Sequence, residues 1–355
     1  MKKTNVMSLL SGCGGMDIGF EGGFTTLTES INKNINKDWI KEDLENGFVK
    51  TKSTKFVNVF ANDIRKGAEI CWNNYFLKEK TKHSKIFVLE SIINLVKLFK
   101  DNKNTNIFPK NIDVITGGFP CQDFSVAGKR KGLKSHKSHY GLKLNEIDDP
   151  TLENRGMLYF WMREMIDIIR PKVFIAENVK GLINLSNVKI IIENDFKNIG
   201  NNGYLVLPAR VLNASEFGVP QARERVIFYG FRKDSLNKSA LELSKEIINN
   251  KYDPYPSTTH SKFTKNKINP LVTVRQALKG LKEPSESTDP SQKTFSKAKW
   301  YGKHCQGNIE VNLDGLGPTI RAEHHGNIEF RRLSKNNGGK YINELDDSLL
   351  ERRLL

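Results

Sequence analysis

The chain has 355 residues, with 56 Lys and Arg against 40 Asp and Glu, so its formal net charge at pH 7 is +16. That length is enough for one large domain with its own core plus a smaller lobe, and so large an excess of positive charge favours a polyanionic partner such as nucleic acid. No apolar run reaches the roughly 18 residues of a membrane span, the N-terminus leads into a strand pattern and not a secretory signal, and Cys13, Cys71, Cys121 and Cys305 form no CxxC pair; a zinc cluster and a disulfide framework are both disfavoured, and a cytosolic chain with free thiols is expected.

In chain order, the apolar run 6–10 reads as a strand ending in Ser11-Gly-Cys-Gly-Gly15, with a helix from about Asp17. Residues 25–55 are polar and rich in Lys and Asn and read as an inserted surface segment with one amphipathic turn around Trp39 and Ile40. A second strand is predicted at 56–62, followed by a helix carrying Ala68, Ile70, Cys71 and Tyr75. A third at 86–89 runs into a helix through Leu95 and Phe99, and a fourth at 112–116 is ended by Gly117-Gly118. Residues 155–169 place Leu158, Trp161, Met162, Met165 and Ile169 at helical spacing, and Pro171 stops that helix. A fifth strand at 173–176, a helix at 188–199 and strands at 204–212 and 226–231 complete the pattern. Strands alternating with helices imply a mostly parallel α/β sheet covered on both faces. After Phe231, five prolines (254, 256, 270, 284 and 290) break the periodicity, and a domain boundary is placed near Arg232.

Four segments carry chemistry. The Gly-rich turn after the first strand lets backbone approach a nucleotide-like ligand, although a plain tight turn reads the same way. Asp63, ending the second strand, suits ribose hydroxyls; its bland alternative is a carboxylate at a helix N-terminus. Gly12, Gly14 and Gly15 do not make G-x-G-x-x-G, so an adenosyl-type ligand fits better than a dinucleotide. The second segment, Gly117-Gly-Phe-Pro-Cys-Gln-Asp-Phe-Ser125, puts Cys121 just past a strand end, where open α/β sheets bind ligands. The basic Gly128–Lys134 stretch follows, suited to a phosphate backbone or simply to solvent. The third is Glu177-Asn178-Val179 at the fifth strand's end. The fourth is Gln221-Ala-Arg-Glu-Arg225, whose alternation puts Gln221, Arg223 and Arg225 on one face, toward an anionic partner or in a salt-bridge ladder.

Pro120-Cys121-Gln122, Glu177-Asn178-Val179 and Gln221-x-Arg223-x-Arg225, in that order after a Gly-rich first turn, resemble the DNA cytosine-5 methyltransferase family. The segment Val272–Leu278 is similar to that family's lead into its target-recognition domain. The resemblance implies a Rossmann-like S-adenosylmethionine-dependent fold, with a catalytic domain over 1–231 (25–55 an insertion) and an irregular target-recognition domain over 232–350. It implies that Cys121 is the nucleophile on a cytosine flipped out of duplex DNA, that Glu177 contacts N3 and the exocyclic amine, and that Arg225 binds O2 while Arg223 braces the loop and phosphate. Substrate contacts are expected from the Phe119 carbonyl, Gln122, Ser125, Lys129, Arg130 and Asn178. Donor contacts are expected from Leu10, Ser11, Gly12, Gly14, Gly15, Asp63, Ile64, Pro120 and Leu158. S-adenosylhomocysteine is the product and no metal is required. The acidic residue the family carries on its third strand falls at Glu90 or Ser91, neither fitting cleanly.

The family continues into two further motifs after its recognition domain, whereas this chain reaches Leu355 where the first of them begins (351–355). The resemblance therefore carries the expectation of a fragment, a truncated product or half of a split enzyme, with weak donor binding unless a complementing C-terminal polypeptide is present. Duplex DNA in the bacterial cytoplasm is the expected partner, with no membrane. Two competing readings are a tRNA cytosine-5 methyltransferase and a catalytically idle DNA-binding subunit. Trp300, Tyr301, His304, Arg321, His324, His325 and Arg331 are candidate contacts in the recognition lobe.

Overall fold

The computed structural model describes residues 2–77, 86–102, 106–120, 157–185, 187–243, 253–263, 267–282, 286–288, 290 and 311–320. Cys121, Gln122, Ser125, Lys129, Arg130, the seven recognition-lobe candidates and residues 351–355 lie outside the described residues.

The chain runs β1 (Thr4–Leu9), α1 (Gly15–Glu21), β2 (Thr25–Leu27), the single turn α2 (Lys33–Asn36), β3 (Ile40–Asp43), β4 (Phe48–Thr51), β5 (Phe56–Asp63) and α3 (Lys66–Phe76). It continues through β6 (Phe87–Leu89), α4 (Ile92–Lys100), β7 (Val114–Gly118), α5 (Leu158–Ile169), β8 (Val173–Val179), α6 (Val188–Lys197), β9 (Tyr204–Val206), β10 (Arg210–Asn213) and β11 (Glu224–Arg232). The short elements α7 (Lys238–Leu243), β12 (His260–Ser261), β13 (Asn269–Pro270) and α8 (Val274–Ala277) follow. Two compact units result. The first holds Met1–Phe24, Lys52–Leu212 and Glu224–Pro256; the second holds Thr25–Thr51, Asn213–Arg223 and Ser257–Leu355.

The first unit is built on a sheet ordered β10-β11-β8-β7-β1-β5-β6, with β9 also on β11. Strands β6, β5, β1, β7 and β8 are parallel, and β11 runs antiparallel to β8. The order reverses at β1, whose neighbours β5 and β7 lead away in opposite directions. The crevice beyond the carboxyl ends of β1 and β7 is thus the topological switch point, where open α/β sheets take their ligands. The core explains why these segments fold so: Met7, Leu9, Ile115, Met162, Met165, Ile166, Phe174, Ala176 and Phe228 are all fully buried, and each large apolar side chain contributes about 1.5–3 kcal/mol by leaving water. Ser91 caps α4 by accepting from the Ile93 N–H.

Several expected boundaries shift. The strand expected over 204–212 is two strands, because Pro208 interrupts it. On α3 the buried stripe is Ala68, Trp72 and Phe76, four residues apart; Ile70, Cys71 and Tyr75 are exposed.

In the second unit, the segment expected as a polar insertion with one amphipathic turn is a three-stranded antiparallel sheet, β2-β4-β3. Alternation drives it: Val49 and Thr51 of β4 are buried while Phe48 and Lys50 are less so. Trp39 stands exposed before β3. This sheet is tied to distant chain by Asn32, fully buried, whose Nδ2 donates to the carbonyls of Thr259 (2.8 Å) and Lys267 (2.7 Å). His260, also fully buried, reaches the Glu29 carbonyl through Nε2 at 2.9 Å; a carbonyl only accepts, so Nε2 carries the proton and Nδ1 faces the Thr259 hydroxyl. Thr273 and Gln276 form a capping box on α8.

Candidate active site

At the switch point the chain leaves β1 through a strained turn. Leu10 has φ +53°, Gly12 +55° and Gly14 +87°, and a non-glycine residue in that region costs on the order of 1–3 kcal/mol. Asn62, at the end of β5, holds the turn open: its Oδ1 accepts from the Leu10 N–H (3.1 Å) and its Nδ2 donates to the Glu90 carbonyl (2.9 Å). The Asn62 carbonyl takes the Ser11 N–H at 2.8 Å and its hydroxyl at 3.1 Å. Asp63 accepts the Gly12 N–H on one oxygen (3.0 Å) and the Arg65 N–H on the other (2.9 Å). A methyl group at the Cα of Gly12 or Gly15 would meet nothing within 4 Å, so bare backbone borders open space there. Gly14 is different. A Cβ on it would come 2.6 Å from Phe76 and 2.8 Å from Trp72, so no other residue fits. Ile64 is half-buried beside Asp63, and Leu158 is buried at the start of α5.

The carboxyl ends of β7, β8 and β11 make the second corner. Gly118 pairs with Glu177 across β7 and β8, and Glu177 pairs with Ile227 of β11. Arg225, two residues earlier on β11, reaches Glu177 with Nε 2.6 Å from Oε1, both side chains partly exposed. The other carboxylate oxygen lies over Gly118, where a Cβ would approach it to 2.9 Å. Strand alternation turns Asn178 to the opposite side from Glu177. It is buried, its Nδ2 donating to the Phe119 carbonyl at 3.1 Å. Pro120 is half-buried and is the last described residue before Cys121.

Arg223 stands in the second unit. Its N–H donates to Asn213 Oδ1 (3.2 Å), its carbonyl accepts from Ala214, and its Nη1 donates to the Ile320 carbonyl (3.1 Å). Gln221 forms an isolated bridge with Gly317. Glu90 and Ser91 both serve local ends: Glu90 Oε1 accepts from the Ser91 N–H and from Asn94, while Ser91 caps α4.

The profile described as C-5 cytosine-specific DNA methylase matches residues 4–341, nearly the whole chain. The chain belongs to that family. Among the relatives of this chain, type II methyltransferase M.BsuRI of Bacillus subtilis is 29% identical over 339 residues, spanning 94% of this chain and 63% of that protein. Type II methyltransferase M.BspRI of Lysinibacillus sphaericus is 30% identical over 342 residues, spanning 94% of this chain and 65% of that one. The chain thus spans a little under two thirds of the length of these relatives. The crystal structure of S. pombe Dnmt2 methyltransferase overlaps it with a TM-score of 0.46 at 13% identity, covering 95% of this chain and 79% of that one, too loosely to carry an argument.

Three residues do not stand out in the sequence. Asn62 was hidden within a strand, and only its burial beside the loop exposes its role. Gly118 was read as a strand terminator, whereas its lack of a side chain makes room for Glu177. Asp17 was read as a helix start, yet it is fully buried and accepts from the Trp72 indole. An acid two residues past a Gly-Gly pair was the available signal. Among the described residues, no three His, Cys, Asp or Glu side chains cluster as a metal site, and no helix is long and apolar enough to cross a membrane.

Proposed function

We propose that this protein transfers a methyl group from S-adenosylmethionine to C5 of a cytosine flipped out of a specific duplex DNA sequence, through a temporary bond between Cys121 and C6 of the ring. One observation carries the reading: the Glu177–Arg225 ion pair is fixed beside Gly118, three residues before Cys121 in the sequence. Three residues reach at most roughly 11 Å, so thiol, carboxylate and guanidinium belong to one neighbourhood.

The donor fits the first corner. Bare backbone at Gly12 and Gly15 borders open space, with Leu10, Ser11 and the Gly14 turn beside it. Both Asp63 oxygens already hold a backbone N–H, yet each retains lone pairs for a ribose hydroxyl. Ile64, Pro120 and Leu158 supply apolar wall. When bound, the donor presents an electrophilic methyl on a sulfonium.

At the second corner Cys121 adds as thiolate to C6, and the ring's electron density shifts toward C5. Glu177, carrying a proton into the step, donates it to N3 and accepts from the exocyclic amine, offsetting the negative charge that this addition builds on the ring. Arg225 binds O2 while steadying Glu177, and the Phe119 carbonyl accepts from the amine. Asn178 keeps that carbonyl in place. The methyl joins C5, the C5 proton leaves, and the sulfur–C6 bond breaks to return the thiolate. Arg223 braces the loop and phosphate; Gln122 and Ser125 fill the vacated stack, while Lys129 and Arg130 meet the phosphate backbone. The second unit would read the sequence.

A duplex carrying 5-fluorocytosine tests this, because fluorine at C5 blocks the release step. With S-adenosylmethionine present, the wild type should form a denaturant-stable adduct and Cys121→Ser none. An adduct that survives the substitution, or one formed with tRNA and not with duplex, would overturn the proposal.

A further inference from the structure

The Gly-rich turn rests on a buried polar contact that the proposed chemistry does not use. Asp17 opens α1 just past the turn and is fully buried, with its Oδ2 accepting from the Trp72 indole N–H at 2.7 Å. Trp72 is itself fully buried on α3, stacked on Phe76 with centroids 4.5 Å apart and an interplanar angle of 28°. These two rings are the floor on which Gly14 sits, so closely that the space of one methyl group is absent. The remaining ties of the turn, through Asn62 and Asp63, fix residues 10–12. Gly14 itself is tied through backbone, its N–H donating to the Ser11 carbonyl (3.0 Å) and its carbonyl accepting from the Ile18 N–H (3.0 Å), and the two rings set the level at which that backbone lies.

Stability alone does not explain an acid there. Burial disfavours a charge on Asp17 and is only partly offset by the Trp72 indole and the Ser8 hydroxyl, while the Thr116 hydroxyl and Asn58 Oδ1 are buried without a hydrogen-bond partner among the described residues; such groups lower stability. Ser8 and Thr116 are register partners on neighbouring strands, so part of this nest is one patch of the sheet. An apolar pair of similar volume would hold α1 to α3 as well or better. What the hydrogen bond adds is direction: it fixes the rotation of the indole, and with it the height of the floor.

We infer that Asp17 and Trp72 are positioning residues for the donor loop, the carboxyl holding the indole so that Gly14 and Gly15 present their backbone to S-adenosylmethionine. This rests on the assignment of that loop to the donor in the proposed function. Neither side chain touches the reacting atoms, so the effect falls on donor affinity and not on the chemical step.

The test is calorimetric titration of the intact protein with S-adenosylmethionine, beside methyl transfer at saturating donor. Trp72→Phe keeps an aromatic ring but loses the N–H, and Asp17→Leu loses the acceptor. Each should weaken donor binding by on the order of three- to tenfold, the worth of one net hydrogen bond, with kcat within twofold and KM for DNA unchanged. Asp17→Asn, which keeps an acceptor oxygen, should bind the donor as the wild type does. Should Trp72→Phe fail to fold, benzothienylalanine at position 72 replaces the N–H by sulfur in the same ring shape and gives the same measurement. Folded Trp72→Phe and Asp17→Leu proteins with wild-type donor affinity, or an Asp17→Asn protein as weak as Asp17→Leu, would overturn the inference. A wild type that binds no donor would instead overturn the assignment of the loop.

Discussion

Gly118 and Glu177 face each other across two parallel strands with no spare room between them. In Gly118→Ala the new Cβ would lie 2.9 Å from Glu177 Oε2, so the carboxylate must swing away from its Arg225-fixed position. On the proposed mechanism the single-turnover rate at saturating donor should fall by about tenfold or more, with unchanged folding by circular dichroism; an undiminished rate would remove Glu177 from its assigned role. Asp17 allows a second test at this scale. Burial, opposed by hydrogen bonds from the Ser8 hydroxyl and the Trp72 indole and reinforced by the nearby Glu21 carboxylate, pushes its carboxyl above the ordinary aspartate range. A raised value in the fold means that the folded state holds the proton longer than the unfolded chain. The stability due to this group is full below about pH 3.9 and is lost as pH rises through the raised value. The unfolding free energy of Asp17→Asn minus that of the wild type should therefore grow from pH 4 upward and then level off. Urea denaturation at several pH values checks this, and a pH-independent difference contradicts it.

Among elements, the alternating pattern of the first unit was legible because its strands are short, largely apolar runs flanked by charged or turn-forming residues. The runs at 6–10, 56–62, 86–89 and 173–176 all meet observed strands. Three features were not legible. Pro208 splits one expected strand, yet both halves still lie along β11. The buried stripe of α3 is set by Trp72 and Phe76, with the exposed Ile70 on the opposite side of the helix and Tyr75 at the margin of the stripe, and hydrophobicity alone does not choose between the faces. The sheet formed by 25–51 has few apolar residues because much of its surface is exposed. Of the candidate site, the motif residues Glu177 and Arg225 were visible in the sequence, but their contact, made across β8 and β11, was not. Gly230 makes the point for strand pairing. It lies opposite Phe174, itself packed on Phe196 and Tyr204 at 4.8 and 5.3 Å, and a Cβ there would fall 1.9 Å from the Phe174 ring. Gly230→Ala should lower stability by about 1–3 kcal/mol or more through overpacking, seen as a lower thermal midpoint; an unchanged midpoint would mean that the β8–β11 pairing yields easily.

For the whole molecule, the net charge of +16 sets a salt dependence for the duplex binding proposed above. If six to ten phosphates are neutralised, affinity should drop by roughly 10³–10⁵ between 50 and 200 mM salt. Fluorescence anisotropy with a labelled duplex measures this, and a flat salt response would show that the excess lysines and arginines serve some other purpose. The division into units has its own consequence. The chain passes from one unit to the other after Phe24, Thr51, Leu212, Arg223 and Pro256, so the second unit is woven from three separate stretches. Asn32 closes that weave, binding Thr259, 227 residues further along the chain. A cassette containing only the C-terminal stretch, moved into a relative to change the sequence it modifies, would arrive without this keystone and without the two amide donors that Asn32 gives to the Thr259 and Lys267 carbonyls. On the proposed function, a new specificity would have to travel as the 25–51 segment and the C-terminal stretch together.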